Sequence, residues 1–144
     1  AAMEGTVLGI PAMAVSKMIT DRHHPDYSAA ARVTADLARR LAEWPLPAGS
    51  LLNVNVQDLP YDAIKGVRVT RTGTRVYRDV VVEKIDPRGR PYYWVGGAPE
   101  FSGGDDTDWH AVDTGFVSAT PLHLDMTDYR SLEALRAWAV TQGL

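Results

Sequence analysis

Four aspartates and a histidine fall within Gly103–Asp113, the densest set of oxygen and nitrogen ligands in the 144-residue chain. The chemistry such a set suggests is metal binding. Asp106, Asp108 and His110 alternate, and alternate side chains share one face of a strand, so the three could hold a divalent cation. A calcium loop is excluded. Counting from Asp106, the sharp-turn position is Ala111 rather than glycine, and the closing position is Val117 rather than glutamate. Short carboxylates in a Gly-rich stretch more often cap turns and nearby amides, and that is the expectation here.

Other candidates are weaker. His23 and His24 are adjacent, so their side chains diverge and make a poor chelate. His123 and Asp125 are spaced for one strand face and could form a pair that fixes the imidazole; with no nucleophile nearby, a structural or interface role is expected. Arg68, Arg71, Arg75 and Arg78 could offer a phosphate a cationic groove, but pairing with carboxylates is the commoner fate. Tyr92, Tyr93 and Trp94 could stack on a base, although aromatic residues in a hairpin more often pack. A phosphate loop, a dinucleotide fingerprint, a Gly-x-Ser-x-Gly elbow and a His-Glu-x-x-His zinc motif are all missing from the sequence.

The elements that must position these groups read as follows. Ala1–Glu4 favour helix, with Gly5 or Gly9 as its end. Residues 10–16 form a short, nearly continuous apolar strand of the kind buried in a parallel sheet. Asp26–Pro45 is the clearest helix, with an apolar stripe at Ala30, Val33, Leu37 and Leu41; Asp26 or Ser28 is its expected cap and Pro45 its stop. Ser50–Val56 is the next strand, with Leu52, Val54 and Val56 on one face and Asn53 and Asn55 on the other. Strand, helix and strand in that order make a parallel crossover. A parallel strand needs neighbours, so an upstream α/β portion is expected. Beyond Gly66, the turn Asp86-Pro87-Arg88-Gly89 predicts a hairpin projecting from the body. Residues 111–122 read as an extended segment, and Ser131–Gly143 as an amphipathic helix capped by Ser131.

Composition sets limits. The chain is 45% hydrophobic and 23% charged, with no cysteine. Disulfides and zinc–thiolate sites are thereby excluded, and the cytosol is the simplest compartment. No apolar run is long enough for a transmembrane helix. The net charge of -3 gives no reason to expect a nucleic-acid polymer as partner. Charge is unevenly spread: Lys65–Arg90 holds eight basic residues against three acidic, and Glu100–Leu144 holds eight acidic against two basic. Taken alone, the asymmetry reads first as two solvated surfaces; the sharper reading is that the two segments meet, within a subunit or between two.

Three stretches go further. Residues 1–16 (AAMEGTVLGIPAMAVS) resemble the segment after the Ser-Gly-Thr turn of the SurE survival-protein family, the 5′/3′-nucleotidases. Residues 51–75 (LLNVNVQDLPYDAIKGVRVTRTGTR) resemble that family's Asn-Val-Asn-Val-Pro strand and its Val-Thr-Arg-x-Gly-x-Arg approach to a hairpin. Residues 107–126 (TDWHAVDTGFVSATPLHLDM) are similar to its Thr-Asp-x-x-Ala-Val-x-x-Gly-Tyr-Val-Ser-Ile-Thr-Pro-Leu block. Gln57 replaces the usual proline and Phe116 the usual tyrosine.

The resemblance implies an α/β fold, the C-terminal part of a SurE-like Rossmann-like parallel sheet with a protruding β-hairpin and an exchanged C-terminal helix. Residues 1–66 would end the body, and residues 67–144 would form the hairpin extension and an oligomerisation segment. It implies a phosphatase of nucleoside monophosphates that uses a divalent metal, Mg or Mn, and forms a homodimer or homotetramer. The family's metal ligands lie in Asn-Asp-Asp-Gly, a downstream Ser and Ser-Gly-x-Asn, none of which matches this sequence. The chain alone is therefore expected to be inactive, with no catalytic or metal residue of its own. Arg71, Arg75, Asp108, His123 and Asp125 are expected to be structural or interface residues. The alternative is a stand-alone binding or assembly module without catalysis.

Overall fold

A computed structural model describes residues 1–77, 80–96 and 99–142; Arg78 and Gly143 lie outside the described residues. Helix α1 spans Ala2–Val7 and ends at Gly9, whose φ of 75° suits glycine. It leads into β1 (Ala12–Lys17), which is followed by α2 (Ser28–Glu43) and β2 (Ser50–Val56). These form the expected crossover, because β1 and β2 pair in parallel from Ala12↔Leu51 to Lys17↔Val56. The start of α2 differs from expectation. Tyr27 is the cap residue and makes no side-chain capping bond. Asp26 instead accepts hydrogen bonds from the amide and hydroxyl of Ser28, at 2.8 and 3.0 Å, closing a turn ahead of the helix.

The crossover is half of a four-stranded sheet. Strand β3 (Val67–Val69) lies at the far edge, and β8 (Val117–His123) enters between β2 and β3, giving the order β1-β2-β8-β3. β8 runs antiparallel to β2 and parallel to β3. The sheet is thus mixed and draws strands from both sides of Gly66.

One face of this sheet is the core. Leu52, Val54, Val56, Val117 and Ala119 pack with Ala30 and Val33 of α2, and Leu37 and Leu41 extend the contact. The period-2 pattern of β2 and the helical stripe of α2 are two halves of one apolar layer. The other face carries buried Leu51 together with polar groups. Asn55 Nδ2 donates to Ser118 Oγ at 3.0 Å, and the Thr70 and Thr120 hydroxyls share a buried hydrogen bond of 2.8 Å. Burial on that face is tolerated because the polar atoms satisfy one another.

Between β3 and β8 the chain makes a ribbon. β4 (Thr74–Tyr77) pairs with β7 (Pro99–Ser102), and β5 (Val80–Ile85) pairs with β6 (Pro91–Gly96), all antiparallel. The tip is the anticipated turn: Asp86 Oδ1 accepts from the amides of Arg88 and Arg90, and Gly89 takes φ 77°. Val81, Ile85, Tyr93 and Trp94 of this ribbon are exposed. After β7 comes α3 (Asp108–Asp113), and after β8 comes α4 (Leu132–Thr141). Ser131 makes no side-chain capping bond to α4; its hydroxyl donates to Asp128 Oδ2 at 2.6 Å.

Candidate functional site

In parallel sheets ligands gather beyond the carboxyl ends of the strands. A cleft of about 440 Å³ lies there, lined by Ser16, Lys17, Asn55, Arg75, Phe101 and Trp109, with Gly73 and Asp108 in its wall. β1 supplies Ser16 and Lys17, β2 supplies Asn55, the ribbon base supplies Arg75 and Phe101, and α3 supplies Trp109. A second cleft of about 430 Å³ at the opposite ends of β1 and β2 is lined by groups such as Ile10, Met13, Leu41 and Pro47, with no titratable side chain. Of the two, the first alone is lined by charged side chains, Lys17, Arg75 and Asp108.

Lys17 is the buried charge of this cleft, its side chain 3% exposed. Its ammonium donates to Asp58, which also accepts from the amide and hydroxyl of Thr20. Those bonds, from Lys17 first, hold the Asp58 carboxyl well below its ordinary value of 3.8. A buried ammonium is tolerable only when paired in this way. The pair ties the end of β1 to the segment after β2, and the bonds from Thr20 extend the tie to the segment after β1.

The opposite wall depends on how Gly103–Asp113 folds. Asp106, Asp108 and His110 do not share a strand face, as their alternation suggested. Thr107 is a helix cap: its hydroxyl oxygen accepts from the His110 amide at 3.4 Å, and Asp108 is the first residue of α3. A threonine followed by an acidic first turn and then the apolar pair Ala111-Val112 is a helix-start signal, and it outweighs the strand reading. The extended segment accordingly begins only at Val117, after Gly115 turns the chain at φ 89°.

The two carboxylates among the candidate ligands have separate tasks. Asp106 accepts from Arg71 Nε at 2.7 Å, which lowers its carboxyl pKa and raises that of the guanidinium. Asp108 Oδ1 accepts from the amides of Gly73 and Trp109, both at 2.8 Å. The main chain of Arg71 bridges Asp106 and Asp108: its amide donates to the Asp106 carbonyl and its carbonyl accepts from the Asp108 amide. These contacts clamp the ribbon base onto the start of α3. Among the described residues no group of three or more His, Cys, Asp or Glu is arranged to hold a metal ion.

The remaining sequence candidates separate. Arg75 and Asp108 line the cleft. Arg68 stacks over the Phe116 ring, its guanidinium 3.7 Å from the centroid. His123 pairs with Ser50 at the amino end of β2, at the other end of that strand from the cleft. There its Nδ1 accepts from the Asp125 amide at 3.1 Å, while the Asp125 carboxylate accepts from the Thr127 amide and the Tyr129 hydroxyl. The imidazole is thus met by Asp125's backbone rather than its carboxylate. His23 and His24 donate their amides to Asp21 in an exposed turn.

Lys17, Ser16, Phe101 and Trp109 were not singled out by sequence. Phe101 and Trp109 stack with centroids 3.6 Å apart and planes within 6°. Their separation in sequence across a Gly-rich loop hides that contact; a lone aromatic in a strand and one in a polar segment carry no joint signal.

The comparisons with known proteins bear on this geometry. The family model described as "Survival protein SurE" matches residues 1–79, more than half of the chain. The chain belongs to the SurE survival-protein family. It is 50% identical over 142 residues to the 5'-nucleotidase SurE of Symbiobacterium thermophilum, covering 98% of this chain and 55% of that protein. It is 48% identical over 145 residues to the 5'/3'-nucleotidase SurE of Cronobacter sakazakii, covering 100% of this chain and 56% of that protein. The solved SurE protein of Aquifex aeolicus matches with a TM-score of 0.78 at 40% identity, over 95% of this chain and 55% of that one. The chain thus spans about half the length of the SurE relatives it matches. Among the described residues no helix is long and apolar enough to cross a membrane.

Proposed function

We infer that the chain supplies one part of a SurE-type nucleotidase, a phosphohydrolase of nucleoside 5′- and 3′-monophosphates. The observation that carries this reading is the polar cleft at the carboxyl ends of β1 and β2 in a chain half identical to proteins named 5'-nucleotidases. A divalent metal, Mg or Mn, would polarise the phosphoryl group in such an enzyme. The described residues do not fit that ion, since none of their acidic and histidine side chains converge in a group of three. No catalytic step is assigned to them. Their contribution is to complete the sheet and to line the cleft with Lys17, Phe101, Trp109 and Arg75.

The reading extends to assembly in the cytosol as a homodimer or homotetramer. Exposed Tyr93 and Trp94 on the ribbon and Leu135 and Trp138 on α4 support it, because apolar surface of this extent marks contact regions. The test compares AMP hydrolysis, with added manganese, by residues 1–144 alone and by the intact protein. Turnover by the intact protein only is expected. Metal-stimulated turnover by residues 1–144 alone would overturn the assigned division of labour, and an intact protein inert on AMP would overturn the nucleotidase reading. Light scattering of Trp138→Asp tests assembly, with dissociation to a smaller species expected.

A further inference from the structure

We propose that the stacked Phe101–Trp109 pair is a platform for the purine or pyrimidine ring of a nucleoside, held in the cleft at the ends of β1 and β2. This rests on the nucleotidase reading and deepens it by naming the part of the substrate these residues touch.

Three observations point to it. The pair stacks at 3.6 Å with nearly parallel planes, yet both rings remain half-buried and line the cleft. A stack formed only to fill a core would be enclosed; this one keeps surface toward the cavity. The cavity volume, about 440 Å³, falls within the range of small-molecule sites, roughly 300–1,000 Å³. Polar groups capable of reading a nucleoside surround the rings. Ser16 and Asn55 come from the strand ends, and Asp108 uses only Oδ1 in its hydrogen bonds to Gly73 and Trp109. The Arg75 guanidinium stands 5.5 Å from the Phe101 centroid, adding a cation beside the aromatic faces.

Physical chemistry favours a base over other occupants. Every nucleobase has a π-face, so an aromatic platform binds it with little sequence preference. A free phosphate has no face to lay on the rings, and a ribose alone covers less of them than a flat base does. The platform is also held rigidly: the Asp108 carboxylate fixes the Trp109 amide and the ribbon base together, which lowers the cost of ordering on binding.

The test titrates the intact protein calorimetrically with adenosine, which carries base and ribose but no phosphate, and assays hydrolysis of AMP and of glycerol 2-phosphate. Adenosine is expected to bind. Trp109→Ala should weaken that binding about tenfold and raise KM for AMP by a similar factor, a larger rise than that for glycerol 2-phosphate, which has no base. Trp109→Phe, which keeps an aromatic face, should restore most of both. Absence of adenosine binding, or equal affinity in a folded Trp109→Ala protein, overturns the platform. Should Trp109→Ala fail to fold by circular dichroism, Ser16→Tyr fills the cleft from an exposed position on β1. It must abolish adenosine binding, and undiminished binding overturns the proposal. A protein that binds adenosine through Trp109 but hydrolyses neither ester keeps the platform and removes the nucleotidase reading. One that hydrolyses both without binding adenosine does the reverse.

Discussion

The Asp108 carboxylate holds the Gly73 amide at 2.8 Å, joining positions 35 residues apart. It is the hinge pin between ribbon and sheet. Asp108→Ala leaves the amides of Gly73 and Trp109 without their acceptor and is expected to cost about 1–3 kcal/mol, read as a lower urea midpoint. Metal affinity should not change, since among the described residues no metal-binding group includes this carboxylate. Unaltered stability with reduced metal uptake would reverse the assignment. Gly73→Ala tests the same contact from the other side, because an added methyl would approach Asp108 Oδ1 to 3.2 Å.

Asp58 links stability to acid pH. Its carboxyl is held below its ordinary value of 3.8 by hydrogen bonds from Lys17 and then Thr20. A depressed folded pKa stabilises above the unfolded pKa and loses that contribution as pH falls through the folded one. The loss therefore begins below about pH 4 and continues downward. Asp58→Asn is expected to flatten the acid limb of a plot of urea midpoint against pH. An acid limb as steep in Asp58→Asn as in the parent would refute the linkage.

Asp125 and Tyr129 form a second acid-linked pair. Hydrogen bonds from Thr127, then Tyr129, bring the Asp125 carboxyl down to about 2, while Asp125 raises the Tyr129 phenol above its ordinary 10.0. The carboxyl's contribution to holding this turn is thus present above about pH 4 and lost between there and about pH 2. Asp125→Asn should return the phenol toward 10.0. Ultraviolet titration, with Tyr129→Phe to identify the signal, measures it; an unmoved phenol would show that the two side chains do not meet.

Thr70 and Thr120 share a hydrogen bond inside the sheet, with residue exposures of 8% and 2%. Thr120→Val strands the Thr70 hydroxyl and is expected to cost about 1–3 kcal/mol. The double variant Thr70→Val/Thr120→Val should cost less than the sum of the singles, because no polar group is then left unpaired. Simple additivity in a thermal-melt cycle would argue against a shared bond.

Leu52 sits in the layer between β2 and α2. Leu52→Ala is expected to lower stability by roughly 2–4 kcal/mol through lost burial and a residual cavity. Chemical denaturation measures it, and a change under about 1 kcal/mol would mean that this layer is not the core.

What could be read from the sequence follows the range of the forces involved. β1, α2 and β2 show in local periodicity, because each element's apolar face is set within its own residues. The tip turn shows because Asp86 and Gly89 act on their immediate neighbours. The Thr107 cap is also a local signal, but the strand-like alternation of Asp106, Asp108 and His110 hides the helix start. The cleft was not legible. Lys17 meets Asp58 only after the sheet brings distant segments together, and Phe101 meets Trp109 only once the Gly-rich loop between them folds back. The insertion of β8 between β2 and β3 is of the same kind, since an apolar segment does not state which neighbour it will choose.

That insertion has a bearing on how the molecule comes to exist. Among the described residues β3 pairs with β8 alone, so it is synthesised some fifty residues before its partner. Until Val117–His123 emerges, β2 has one bare edge and Thr70 lacks its hydroxyl mate. The ribbon's local pairs can zip meanwhile, since they need only short loops to close. The sheet itself must wait for a late segment to thread between two early ones. A ribosome pausing before that segment would expose the unpaired edge to neighbours. The last strand acts, in this sense, as a completion signal for the nascent chain.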